Sequence, residues 1–164
     1  MKIVPVNDDF PPGFYEEFAR LVIAFGRLDY LIKLCVKDLS AEGFTRGMLE
    51  AESQVQFCKL CEKAKERAGQ SQKLSQTQTH DFSELIDQAE VLADFRNDTV
   101  HALWTTKNGQ SLRIRPKLVK VPKSVDWSRG RVVLLNEIHR TRRQIERLYQ
   151  DSELQRKTWH TYVT

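Results

Sequence analysis

The sequence predicts an all-α protein: an up-down bundle of four long helices, with a small β-hairpin between the third and the fourth. Three observations predict it. Apolar residues recur at spacings of three and four along four stretches, the period of one helix face. Residues 103–121 change instead to alternation around Asn108-Gly109, the strongest short-range hairpin signal. Glycine and proline punctuate the intervals, at Pro11-Pro12-Gly13, Gly43 and Gly69.

The first helix is predicted over 14–39. Phe14, Phe18, Leu21, Val22, Phe25, Leu28, Ile32, Cys35 and Leu39 form one stripe there. A second is predicted over 45–68, carrying Met48, Leu49, Val55, Phe57, Leu60, Cys61 and Ala64. The Gln- and Ser-rich stretch 69–80 reads as a polar connection within one domain. Asp81 and Glu84 stand at capping-box spacing and open a third helix over 82–103. Thr105 and Thr106 before the Asn-Gly, and Leu112, Ile114, Leu118, Val119 and Val121 after it, supply the strands. The fourth helix is predicted over 127–150, with Val132, Leu135, Ile138, Ile145, Leu148 and Tyr149 inward and Arg140, Arg142, Arg143 and Arg147 on its other faces. The tail after Asp151 extends that helix or frays.

A chain of 164 residues is expected to form a single domain. No apolar run approaches the roughly 20 residues of a membrane helix, and the opening residues lack the apolar centre of a secretory signal. Three cysteines give no disulfide framework, so a reducing cytoplasm is the expected location. Cys58-Lys-Leu-Cys61 lacks a second ligand pair and reads as small residues in a helix interface. His80 and His139 read as exposed polar residues, and Glu16-Glu17 as charge at a helix start. With no phosphate-cradling glycine loop and no metal cluster, neither cofactor nor metal is expected.

Charge is unevenly spread. Residues 111–147 hold eleven Lys/Arg against three acids, about +8, while the whole chain is +4. Such asymmetry favours a polyanionic partner, RNA above all. Arg113, Arg115, Lys117, Lys120, Arg140 and Arg143 are the expected contacts to an RNA backbone.

Within the third helix, Asn97 and His101 are four apart and share a face, and Arg96 approaches from its edge. An imidazole can move a proton at neutral pH. A guanidinium can fork two donors onto a phosphate as charge builds in a transition state. An amide can orient either. One imidazole is poor for a reaction needing both base and acid, and a two-fold dimer would supply a second. Without chemistry, the same residues would be an Arg96 paired with Asp94 or Asp98 and a His101 bonded to a backbone carbonyl.

Arg96-Asn97-x-x-x-His101, late in a helix of a helical bundle, resembles the motif of the HEPN domain family (higher eukaryotes and prokaryotes nucleotide-binding). The resemblance implies a four- to five-helix bundle, commonly a homodimer, with a metal-independent ribonuclease site composed from both protomers. It implies Arg96 and His101 as the catalytic pair and Asn97 as the supporting residue. It also implies a place in toxin–antitoxin or phage-defence systems, with an antitoxin or a nucleotidyltransferase as possible partner. Other members are non-catalytic RNA-, nucleotide- or protein-binding modules. In one toxin branch a tyrosine two residues after the histidine is nucleotidylated. That position here is Leu103, so the branch's regulation does not carry over.

Overall fold

The computed structural model describes residues 9–114, 117–119, 124–126 and 130–159. Among the described residues the chain is largely helical. Its order is α1 (Phe14–Leu39), α2 (Phe44–Glu52), α3 (Phe57–Gln70), α4 (Gln76–Val100), β1 (Leu103–Lys107), β2 (Gln110–Ile114), β3 (Lys117–Val119), β4 (Ser124–Asp126), β5 (Gly130–Val132) and α5 (Leu135–Thr158). The strands form an antiparallel sheet β1-β2-β5 and a separate antiparallel pair β3-β4.

The described residues group into two compact units, each discontinuous in sequence. The described residues of Met1–Val22 and Asp94–Arg142 make a mixed unit, and those of Ile23–Ala93 and Arg143–Thr164 a helical one. The boundaries fall inside α1, α4 and α5.

In the helical unit the predicted stripe of α1 is the core. Leu28, Ile32, Cys35 and Val36 are buried, together with Leu60, Cys61 and Ala64 of α3, Phe82 and Ile86 of α4, and Ile145 and Leu148 of α5. Phe25 packs on Phe57 at 4.8 Å, and Trp159 meets Phe82 edge to face at 5.2 Å. Burying each such large apolar side chain contributes roughly 1.5–3 kcal/mol. Gly47 lets α2 lie directly on α1, because a Cβ there would stand 2.9 Å from the Lys37 Cα.

Three expected boundaries are corrected. The second helix breaks at residues 53–56 into α2 and α3. Val55, assigned to its stripe, is 95% exposed. The third helix starts six residues early, within the expected connection. Its capping box is Ser75 and Gln78 rather than Asp81 and Glu84: the Gln78 N–H donates to Ser75 Oγ (3.2 Å) and the Ser75 N–H to Gln78 Oε1 (2.9 Å). The last helix starts eight residues late, because Gly130–Val132 pair with β2 instead. Val132, expected inward, is exposed, while Val133 is buried. At its other end the tail does extend the helix, to Thr158.

In the mixed unit the hairpin forms as predicted. Leu103 pairs with Ile114 and Lys107 with Gln110. Asn108 (φ 53°) and Gly109 (φ 71°) are both left-handed, the type I′ turn that matches strand twist. Phe14 and Phe18 of α1 flank the Trp104 ring at 5.1 and 6.1 Å.

Candidate functional site

The candidate residues lie at the end of α4, which the sheet holds in place. The last carbonyls of a helix have no partner of their own. Here the Trp104 indole N–H donates to the Thr99 carbonyl at 2.8 Å. Thr99 is fully buried, and its hydroxyl donates back to the Phe95 carbonyl at 2.7 Å. Arg113, reaching from β2, donates to the same hydroxyl at 3.2 Å. Its guanidinium lies 5.4 Å from the Phe95 ring centroid and 3.8 Å from Asp98 Oδ2. A cation is favoured at this end of the helix dipole. Burial, and secondarily Arg131 directly opposite in the sheet, pull the Arg113 pKa down. The last turn of α4 is thus tied to both strands of the hairpin.

On this fixed turn sit the three motif residues. Arg96 and Asn97 are half-buried, and Arg96 Nη1 donates to Asn97 Oδ1 at 2.8 Å. That leaves the Asn97 amide nitrogen available as a donor. His101 follows immediately after α4, its backbone N–H closing the final helical bond onto the Asn97 carbonyl at 3.0 Å. Its side chain is exposed, and the ring has no hydrogen-bond or ion-pair partner among the described residues. The structure therefore brings Arg96 and Asn97 into direct contact and places His101 one turn on, open to solvent. Asp98, one of the acids weighed as a partner for Arg96, lies 3.8 Å from the Arg113 guanidinium.

The basic residues divide. Arg140 and Arg143 are exposed on α5. Arg113, expected to meet RNA, is buried and serves the end of α4. Arg115 and Lys120 lie outside the described residues, and Lys117 is described only by its backbone place opposite Asp126. Arg142, expected on an outer face, is buried. Its Nε donates to Glu17 Oε2 at 2.9 Å, and His139 Nδ1 lies 3.3 Å from the same oxygen. Arg142 Nη2 also approaches His139 Nδ1 to 3.1 Å. Burial would raise the Glu17 carboxyl, but the hydrogen bonds and charges of Arg142 and His139 outweigh it and hold the group below its ordinary value. So Glu17, expected as solvated charge, is instead largely buried against Arg142, while His139 is exposed as expected and lies beside it. The sequence carries no local signal of it, because the partners are more than 120 residues apart.

The cysteines show no shared chemistry. Cys58 is exposed, whereas Cys61 is buried and its thiol pushed up to about 12, chiefly by desolvation. Among the described residues no cluster of His, Cys, Asp and Glu could hold a metal ion, and no helix is long and apolar enough to cross a membrane. Compared with known proteins, the chain matches no family model, no curated protein and no solved structure.

Proposed function

We propose that the protein is a metal-independent endoribonuclease of the HEPN type, acting as a homodimer. The observation that carries this reading is an exposed, unengaged imidazole one turn beyond a guanidinium–amide pair, on a helix end tied down by Trp104 and Arg113. Preorganised groups of this kind contribute most when their geometry is fixed before the reaction.

The reaction is an in-line transfer. The ribose 2′-hydroxyl attacks the adjacent phosphorus, giving its proton to the imidazole of one His101. The P–O5′ bond breaks, and the leaving 5′-oxygen takes a proton from the second copy's imidazole. Arg96 donates to the non-bridging oxygens as negative charge accumulates, and Asn97 holds the guanidinium in place. The products are a 2′,3′-cyclic phosphate and a 5′-hydroxyl, and no cofactor takes part. A role as a toxin or phage-defence effector, with an antitoxin or nucleotidyltransferase partner, belongs to the same proposal. So does a cytoplasmic location.

One observation favours a second reading. Arg96 is half-buried and already engaged by Asn97, as befits a non-catalytic module that binds RNA, a nucleotide or a protein. Incubating a mixed RNA pool with EDTA-treated protein and identifying the new 3′ ends separates the two. Cyclic phosphates that disappear with Arg96→Ala and with His101→Ala support the nuclease. Intact RNA, bound in a salt-sensitive way, supports the module. Sedimentation at micromolar concentration should show a dimer, and a monomer would remove the second imidazole.

A further inference from the structure

The helical unit holds a concave site that shares no residue with the motif. It is a cavity of about 400 Å³ between α4 and α5, within the size range of small-ligand sites. Val91, Leu92 and Leu148 make an apolar floor, and Gln88, Gln144, Arg147 and Asp151 stand around it. The helical period explains the convergence: 88, 91 and 92 share one face of α4, and 144, 147, 148 and 151 one face of α5.

The four polar side chains are uncommitted. None has a hydrogen-bond or ion-pair partner among the described residues, and all four are exposed. Arg147 and Asp151 line the same groove one turn apart, yet do not pair with each other. Elsewhere in the chain opposite charges four residues apart do pair, as in Arg20–Glu16, Lys33–Asp29, Arg46–Glu42 and Lys157–Glu153. Val91, meanwhile, leaves an apolar lining side chain 71% exposed.

Such a lining suits a flat ligand with apolar faces and hydrogen-bonding edges. A carboxylate accepts from two adjacent N–H groups, and a guanidinium donates to two adjacent acceptors. Guanine offers both at once, N1–H with the N2 amino group on one edge and O6 with N7 on another. Adenine, cytosine and uracil have no adjacent donor pair to offer a carboxylate. We propose that this groove binds an unpaired guanine, with Asp151 on its Watson–Crick edge, Arg147 on O6 and N7, and its face on Leu148 and Val91. The two glutamine amides are left for the ribose and the remaining base atoms. Arg143, exposed one turn before Arg147, is placed for the neighbouring phosphate. That the guanine is part of single-stranded RNA rests on the RNA reading above. The guanine chemistry does not.

The test uses the full chain carrying His101→Ala, so that RNA stays intact. One arm titrates it with guanosine, inosine and adenosine 5′-monophosphates. The other uses labelled single-stranded oligoadenylate with one central guanosine, inosine or adenosine. Guanine should bind about tenfold more tightly than adenine in at least one arm, with inosine between, since it lacks the N2 amino group. Asp151→Asn should bring guanine and adenine together without disturbing the circular dichroism spectrum. Preference in the oligonucleotide arm assigns the base to RNA; preference among mononucleotides with no oligonucleotide bound assigns it to a free nucleotide and counts against the RNA reading alone. Equal binding of guanine and adenine in both arms, or a preference that survives Asp151→Asn, overturns the site.

Discussion

Asp38 in the helical unit and His101 in the mixed unit both sit at the end of a long helix, and the fold uses them in opposite ways. The Asp38 side chain is only 7% exposed, receives Arg156 at 2.6 Å and Lys37 at 3.1 Å, and its carbonyl accepts from Lys73 at 2.5 Å. The His101 ring is exposed and unengaged among the described residues, while everything around it is tied down. A buried carboxylate must be matched by cations, because desolvating it otherwise costs several kcal/mol. An exposed imidazole bears no such requirement and keeps both nitrogens for a ligand. The contrast separates polar residues that hold the fold from an exposed one that the proposed function assigns to chemistry, and charge or residue type alone would not have separated them.

Substitutions can break or sharpen that contrast. Asp38→Ala removes the acid shared by Arg156 and Lys37, Arg156 keeping Glu153, and should destabilise the protein by about 2–3 kcal/mol, read from urea unfolding. Gly47→Ala should also destabilise, by about 1–3 kcal/mol, because the methyl meets the Lys37 backbone. Stabilisation, as expected for Gly→Ala within an open helix, would mean that α2 does not pack so closely. Glu17→Gln should cost about 1 kcal/mol at pH 7, because it removes the carboxylate charge that faces Arg142 and His139 and leaves only a neutral acceptor. Since folding lowers the Glu17 pKa, its contribution is complete above the ordinary carboxylate range and is lost as pH falls through it. Acid unfolding monitored from pH 7 to pH 3 should therefore be shallower in the variant. His101→Ala should change stability least, by no more than about 0.5 kcal/mol. A large loss there would place His101 with Asp38, as a residue that holds the fold.

What could be read in the sequence follows the range of the interactions. The bounds of α1 and the Asn108-Gly109 turn are local, set by one stripe and two left-handed residues, and they are where expected. The motif is local too: Arg96 and Asn97 are adjacent and His101 follows one turn on, so spacing alone places them near one another. The break at residues 53–56 was not legible, because Val55 continues an apolar period that no partner covers. Strand β5 depends on pairing with β2, and the only hint in the chain was β-branched Val132-Val133 after Gly130. Ser75 and Gln78 were legible as a capping box but hidden in a stretch read as connection. Arg113 and Arg142 looked like surface charge, and only long-range partners, Thr99 and Glu17, show that they are interior.

Under the proposed function His101 is kept for proton transfer. The most direct test is the single-turnover cleavage rate of one RNA by the wild type and by His101→Ala, at a temperature where both are folded. The rate in the variant should be lower by at least about 100-fold, the ordinary contribution of a proton-transfer group. Equal rates with matched stability would contradict it.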